Sequence, residues 1–447
     1  MTAPSSSSTP DGAAGATGAP GAPGADSTAQ PSVFGQRAFT TFLAARLMAV
    51  LAGQIQAVVV AWQVYDLTRQ PLALAYVGLA QFLPMLLLLL PAGDMIDRFS
   101  RKPILAVSWG LSGLCGLALW WLAGHGHAGV NGIYAVLVVF GCARAFSGPA
   151  LQSLLPQVVP REQLAQAIAA NSMLMRAANI GGPFVGGLLY AYGGAQLTFS
   201  VCFICFALGT ALLVSGVQVR AVAVSLAATQ GNIWKRFGAG IHFIRTRPII
   251  LGTISLDLFA VLLGGVVALL PIYAKEVLHA GPQGLGALRS AMAVGEVSAG
   301  LYLSMKPFNR HVGRTMFIAV AIFGVANLVF SLSTTFWLSF AALMIAGAAD
   351  MVSVYIRGAL VQFSTPDDMR GRVNAVNMLF IGSSNELGEF RAGSAAAALG
   401  VVPAAVTGAL CTLGVVSAWA ALFKPLRTVN RFEEATPAVT SEPAAQR

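Results

Sequence analysis

Long apolar runs, separated by short charged loops, constrain this chain more than any other feature. A helix crossing a hydrocarbon core roughly 30 Å thick needs about 20 mainly apolar residues. Twelve such stretches fit between Phe39 and Phe423, at 39–66, 72–92, 103–123, 130–155, 163–191, 195–219, 249–275, 282–305, 313–332, 336–364, 371–399 and 402–423. With 56% hydrophobic and 10% charged residues and a mean hydropathy of +0.72, the chain lacks the polar surface of a soluble globule. An all-α integral membrane fold of twelve transmembrane helices is the expectation.

Orientation follows from the basic residues, because Lys and Arg in short loops stay on the cytoplasmic side. With both termini inside, the cytoplasmic loops hold Arg98, Arg101, Lys102, Arg161, Lys306, Arg310, Arg314, Arg370 and Arg372, whereas the outer loops hold only Arg69 and Lys275. The net charge of +10 then reflects topology, with anionic inner-leaflet lipid as its partner. Basic residues scattered over many loops make no patch for nucleic acid. The chain is expected to be a multi-pass monomer with both termini cytoplasmic.

Residues 1–35 are a Gly, Ala, Pro and Ser tract that cannot bury enough surface to order itself, so a disordered tail is expected. No basic start or apolar run precedes residue 39, so the first span itself should serve as the insertion signal. Compared with itself 206 positions on, the chain aligns Pro160 with Pro366, Asn171 with Asn377, Gly182 with Gly388 and Gly187 with Gly393. Two pseudo-symmetric six-helix bundles follow, over 36–219 and 249–424, joined by a cytoplasmic linker over 220–248 and followed by a cytoplasmic tail over 425–447. Within the linker, Trp234, Phe237, Ile241, Phe243 and Ile244 interleave with Lys235, Arg236, Arg245 and Arg247. They fit either an amphipathic helix on the inner membrane surface or a solvated connector.

A charged strip interrupts the apolar pattern at Gly93, Asp97, Arg98, Arg101 and Lys102. Span four carries Arg144 with Gly148, and span five carries Gly182, Pro183, Gly186 and Gly187 as G-P-x-x-G-G. Together these resemble the loop and helix motifs of major facilitator superfamily transporters. The resemblance covers nearly all of 38–424. Two stretches, Pro156 to Gly187 and Pro366 to Gly393, are similar to its enterobactin exporter and macrolide efflux branch. It implies that the membrane is a bacterial inner membrane, that the strip braces a cytoplasmic gate, that Arg144 takes part in proton coupling, and that the glycine motif belongs to an exporter. By packing chemistry alone the glycines let helices approach closely, and Pro183 removes one backbone hydrogen bond so that the helix can bend. The strip of the second half has Ser304 where the acid would fall.

Eleven ionisable residues fall inside spans: Arg46, Arg144, Arg176, Asp257, Arg289, Glu296, Asp350, Arg357, Glu386, Glu389 and Arg391. Each costs about 2.5 to 3.5 kcal/mol at the bilayer centre, so most must be paired, wet or neutral. Counting depth at about 1.5 Å per residue puts Arg46 level with Asp257, which are expected to approach each other or share a wet cavity. Arg144 and Arg176 lie at middle depth, as do Asp350 and Glu386. Arg46, Asp257, Arg176 and Glu296 are the candidate cavity residues. Glu386 and Glu389 lie one helical turn apart and resist being charged together, so one can hold a proton near neutral pH. Proton coupling is therefore assigned to Glu386 first, then Glu389 and Asp350, with Arg144 competing for the charged form. Glu389 can alternatively pair with Arg357 or another Arg as a structural lock between helices. Arg391 is expected to snorkel to the outer surface, and Arg289 and Glu296, seven residues apart, can brace each other.

Other features are expected to be structural. Cys115, Cys142, Cys202, Cys205 and Cys411 lie in apolar spans and should pack rather than react. His125 and His127 make too small a set for a metal, and no cofactor is expected. Absence of H-E-x-x-H, G-x-S-x-G and Walker patterns argues against an enzyme or a self-contained ATP-driven pump. The expected function is export of a small amphiphilic organic molecule, a drug or siderophore-like metabolite, by proton antiport with alternating access. Lysophospholipid flipping on the same fold is the alternative, and a lateral opening to lipid would favour it.

Overall fold

The computed structural model describes residues 33–125, 129–160, 163–218 and 233–435. In hydrocarbon every backbone N–H and C=O must be satisfied within the segment, which forces apolar runs of this length into helices. The first half contains α1 (Arg37–Thr68), α2 (Pro71–Arg98), α3 (Arg101–His125), α4 (Val130–Val158) and the long α5 (Leu164–Gly216). After α6 (Ile233–Thr246) come α7 (Pro248–Gly264), the single turn α8 (Leu270–Ile272), α9 (Gly281–Met305), α10 (Val312–Leu332), α11 (Phe336–Phe363), α12 (Asp367–Leu399), α13 (Val401–Leu422) and the short α14 (Lys424–Thr428). Among the described residues, nine helical segments are long and apolar enough to cross a membrane.

Twelve crossings are recovered from these nine in two steps. The segment containing α5 is two spans, because Gly193 and Gly194 leave helical geometry and Gly194 takes a φ of 63°, which a residue with a side chain rarely adopts. The break falls between the expected spans 163–191 and 195–219, and backbone angles at Pro183 stay helical. α9 and α12 are the remaining crossings, 25 and 33 residues long, and they fall short on apolarity because they carry charge. Span seven is less regular than the apolar run suggests. α7 stops at Gly265, and a 3-10 turn (Val267–Leu269), α8 and a π-helical turn (Tyr273–Val277) complete the crossing.

Two six-helix bundles result. In the first, α1 packs along α5, α2 along α4, and α3 against both α4 and α5; in the second, α9 packs on α11, α10 on α11 and α13, and α7 on α12 and α13. The bundles meet along α5–α9 and α2–α12. Apolar packing is distributed unevenly along the membrane axis. At the end carrying Arg69 and Lys275, one cluster joins both halves, with Val64 and Tyr65 packed in the same core as Leu269, Tyr273, Leu285 and Ala396. Toward the end with the basic loops there are two cores instead. One lies within the first half around Phe42, Leu105, Leu154 and Leu213, and the other within the second half around Met316, Ile356, Leu360 and Phe432.

α6 settles part of the linker question. Its apolar face is not left for lipid alone: Ile244 is buried in a cluster with Ile254, Val361, Val373 and Val376, and Phe237 and Ile241 pack against it. Gly240 lies so close to α12 that a Cβ there would sit 2.9 Å from the carbonyl oxygen of Arg372. The helix is a strut on the second half. The side chains of Trp234, Lys235 and Arg236, like residues 219–232, lie outside the described residues.

Candidate transport site

Nine of the eleven ionisable residues in the spans sort into three groups. The first lies on the seam between the halves. Arg144 of α4 reaches Glu386 of α12 at 3.9 Å, and its Nη1 donates to Gln81 Oε1 of α2 at 3.4 Å. Glu389 lies one turn further along α12, within electrostatic reach of Arg289 of α9 and of Arg144. Both carboxylates pass over Gly78 of α2, where an added Cβ would lie 3.6 Å from Glu386 Oε2 and 3.7 Å from Glu389 Oε2. Two cations and two anions thus balance, and Arg144 keeps 43% of its side chain exposed against 19% for Glu386. The ion pair therefore borders open space.

A second group joins α5, α9 and α11. Glu296 is within electrostatic reach of Asp350 and of Arg176, whose Nη1 lies 4.0 Å from Met351 Sδ. The third lies wholly within the second half, where Asp257 of α7 and Arg357 of α11 form an ion pair with both side chains under 10% exposed.

Several expectations change here. Asp257 pairs with Arg357, not with Arg46, whose Nε is buried without a hydrogen-bond partner in the first half. Depth counted along a helix does not fix which way the helix turns its side chain. The same pair takes Arg357 away from Glu389, whose neighbouring cations are Arg289 and Arg144 instead. Arg289 and Glu296 do not brace each other, since α9 directs one toward Glu389 and the other toward Asp350 and Arg176. Arg391 does not snorkel: its Nη2 lies 3.5 Å from the carbonyl of Gly265, where α7 ends, and its Nε is buried. A helix C-terminus, rich in unpaired carbonyls, offers a cation an alternative to the membrane surface.

At the charged strip, Arg98 pairs with Asp94 at 3.0 Å, and Lys102 Nζ donates to the carbonyls of Val214 and Val217 at the end of α5. These contacts stay within the first half. The side chain of Asp97 lies outside the described residues, and Gly93 has open space where a Cβ would point. In the glycine motif, Gly182 and Gly186 face α1 at Gln54 and Ile55, whereas Gly187 faces α9. A Cβ on Gly187 would lie 2.5 Å from the carbonyl oxygen of Pro282, and one on Gly286 would lie 2.5 Å from that of Pro183. Close backbone approach across the halves is possible only because both positions lack side chains.

Some contacts were not legible as site features. At the end opposite the basic loops, Asp66 at the foot of α1 takes ion pairs from Arg69, at 3.6 Å, and from Lys275. Tyr65 OH donates to the Glu276 carboxylate, and Lys275 Nζ lies 5.3 Å from the centroid of Trp62. Beside Arg144, a cavity of about 330 Å³ opens within the first half, bordered by Gln54, Gln81, Trp109, Phe140 and Ser147. Uncharged polar residues within apolar spans are the signal that would have found this wall. His125 Nδ1 lies 2.9 Å from the carbonyl of Trp121, and His127 lies outside the described residues.

Comparison with known proteins gives three results. The transmembrane secretion effector family of the major facilitator superfamily matches residues 28–446. Among characterised relatives, the enterobactin exporter EntS of Escherichia coli O1:K1 is 23% identical over 409 residues, covering 90% of this chain and 95% of that protein. The enterobactin exporter of Shigella dysenteriae serotype 1 is 23% identical over 343 residues, covering 76% of this chain and 80% of that protein. Solved structures with the same fold include a bacterial homologue of the human lysosomal transporter Spinster, with a TM-score of 0.66 at 15% identity over 88% of this chain and 96% of that one. A transporter of the POT family aligns with a TM-score of 0.69 at 10% identity, covering 89% of this chain and 98% of the other.

Proposed function

Because the chain belongs to the transmembrane secretion effector family of the major facilitator superfamily, and is a multi-pass transporter rather than an enzyme, we propose that it exports a small amphiphilic organic molecule by proton antiport. The enterobactin exporters among its relatives support a siderophore-like or drug-like cargo. The single observation that carries the proton reading is the ion pair between Arg144 and Glu386. It crosses the seam that alternating access must rearrange, and its acid has a second carboxylate, Glu389, one turn away.

Protonation of Glu386 removes the attraction to Arg144. Two unit charges about 4 Å apart attract by about 4 kcal/mol at an effective dielectric constant near 20, and the exposure of Arg144 lowers that figure. Inverting a two-state equilibrium from 1:99 to 99:1 takes about 5.5 kcal/mol. One protonation therefore biases the exchange strongly without completing it. Antiport requires cargo and proton to exclude each other, so cargo binds the form with Glu386 ionised and its own contacts drive the opposite half of the exchange. Glu389 and Asp350 are secondary proton sites in this scheme, while Arg176 and Glu296 line the path on the opposite flank. With the basic loops assigned to the cytoplasm, the separated cores face inward and the shared core closes the outer end.

Everted vesicles test the scheme. Protons should be taken up on energisation and released on adding cargo, and Glu386→Gln should abolish the release. Transport indifferent to a collapsed proton gradient would end the antiport reading. Lipid flipping has one observation in its favour, an almost wholly apolar groove of about 550 Å³ between α2 and α4 that includes Tyr76 and Tyr134. Translocation of a fluorescent lysophospholipid in the same vesicles, unaffected by Glu386→Gln, would favour it.

A further inference from the structure

We propose that an anionic phospholipid binds the cytoplasmic end of the second half, with its phosphate between Arg314 and Arg427 and one acyl chain in the groove between α10 and α11. The site shares no residue with the cargo path or its ion pairs. It therefore goes beyond the transport reading and takes from it only the orientation set by the basic loops.

After α14 the chain turns back over the second half as a strap. Val312 and Gly313, at the start of α10, donate their backbone N–H groups to the carbonyls of Asn430 and Val429 at 3.3 and 3.0 Å. Asn309 holds the strap twice, donating to Glu433 Oε1 at 2.8 Å and accepting from the Phe432 N–H at 3.0 Å. Phe432 is buried beside Phe308, Tyr355 and Phe363. Between the strap so fixed and α10 lies a cavity of about 580 Å³, bordered by His311 and Arg314 on one side and by Arg427 to Asn430 on the other.

Charge in this cavity is not balanced by the protein. Among the described residues, Arg314, Arg427 and His311 take part in no ion pair. The strap carries two acids, yet Glu433 is held by Asn309, and Glu434 accepts from the backbone N–H of Asn430 at 2.8 Å. Basic pockets at the cytoplasmic ends of spans suit anionic headgroups, and a guanidinium fork matches phosphate oxygens.

A second observation selects a lipid over a soluble anion. Arg314 heads a stripe of α10 that continues at helical spacing through Ile318, Ile322, Val325 and Val329. These four side chains are 38–53% exposed. With Leu338 and Ile345 of α11 they border a groove of about 390 Å³ whose lining residues are all apolar. At about 1.5 Å per residue, Ile318 to Val325 lie roughly 6 to 17 Å beyond Arg314 along the helix. That matches the depth of one leaflet, about half of a hydrocarbon core roughly 30 Å thick. The cavity and the groove thus suit the two ends of one molecule, whereas a soluble phosphate would use only the first.

Purified full-length protein in nonionic detergent is incubated with dioleoyl phosphatidylglycerol and separately with dioleoyl phosphatidylcholine, and retained lipid is counted by native mass spectrometry. One phosphatidylglycerol should be retained about tenfold more tightly than phosphatidylcholine. Arg314→Gln with Arg427→Gln should weaken that retention by about tenfold or more, the effect of losing two arginine contacts near a membrane surface. Arg245→Gln with Arg247→Gln removes the same charge from α6 and should leave it unchanged. Ile322→Trp fills the groove from its exposed side and should also weaken retention, with every charge kept. Excess glycerol 3-phosphate should not displace the lipid. Equal retention of the two lipids, equal losses from the two arginine pairs, unchanged retention in either monodisperse α10 variant, or displacement by glycerol 3-phosphate would each overturn the proposal. The readout involves neither cargo nor a proton gradient, so its failure and that of antiport are separable.

Discussion

Arg357 shows how far one buried charge constrains this bundle. Its guanidinium and the Asp257 carboxylate are both almost wholly removed from solvent, and removing one partner strands the other. Loss of one member of a buried pair costs roughly 3–5 kcal/mol, so Arg357→Ala should lower the melting temperature in detergent sharply. Arg357→Met with Asp257→Leu should recover most of that loss. Exchanging the two charges, Asp257→Arg with Arg357→Asp, should restore transport lost on either reversal, and pairing Asp257→Arg with Arg46→Asp should not. Glu386 makes the contrasting case, since its partner is half in open space. Glu386→Gln should leave the melting temperature nearly unchanged while reducing proton-driven efflux by more than about tenfold, since a buried carboxamide lacks the titration that the cycle uses. All eleven ionisable positions were legible in the sequence as exceptions to the apolar pattern. Their partners were not, because pairing depends on how each helix is rotated and on which helix lies next to it.

Helix contacts in this molecule are set by where side chains are missing. At Gly187 and Gly286 the backbones of α5 and α9 meet directly, and Ser290 of α9 donates to the carbonyl of Ile180 at 2.7 Å further along the same contact. Gly187→Leu cannot be accommodated without moving the two helices apart. Spin labels at Thr68→Cys and His279→Cys should therefore report a longer distance between the halves in that variant. An unchanged distance would show that α5–α9 packing does not hold this end shut. α6 is equally specific: its apolar stripe is matched to Val373 and Val376 of α12, so the strut moves with the second half. Helix existence and limits were legible from apolar length, and several observed ends fall within two or three residues of those expected. The break at Gly193–Gly194 falls in the gap expected between 191 and 195, whereas the break after Gly264 was not legible, because it depends on the neighbour the chain must bend around. At Gly264 that neighbour is Thr412 of α13, whose Oγ1 would lie 1.7 Å from an added Cβ.

Across the whole molecule, closure is one-sided. The shared apolar core, the α5–α9 contact and the Asp66–Lys275 and Tyr65–Glu276 contacts all hold the halves together away from the basic loops. These last two bonds sit on the π-helical turn Tyr273–Val277, at the end of the least regular span. Lys275→Glu should weaken closure and expose a cysteine placed at Tyr65 to an impermeant maleimide from outside. Adding Asp66→Lys should restore protection, because the pair is re-formed with its charges exchanged. If labelling is unchanged by Lys275→Glu, the apolar core alone keeps the outer end closed. A reporter fused after residue 440 should be cytoplasmic if the basic loops orient the chain as proposed.

By itself the sequence determined that this chain crosses a membrane many times, which positions carry charge inside it, and which superfamily its motifs resemble. Each of these depends on local composition, because hydrocarbon leaves an apolar run only one way to satisfy its backbone. Tertiary structure alone decided that Asp257 belongs to Arg357, that Arg391 caps α7, and that Glu386 reaches Arg144 across the seam. Those outcomes depend on helix rotation and neighbour choice, which are fixed by packing between segments far apart in the chain.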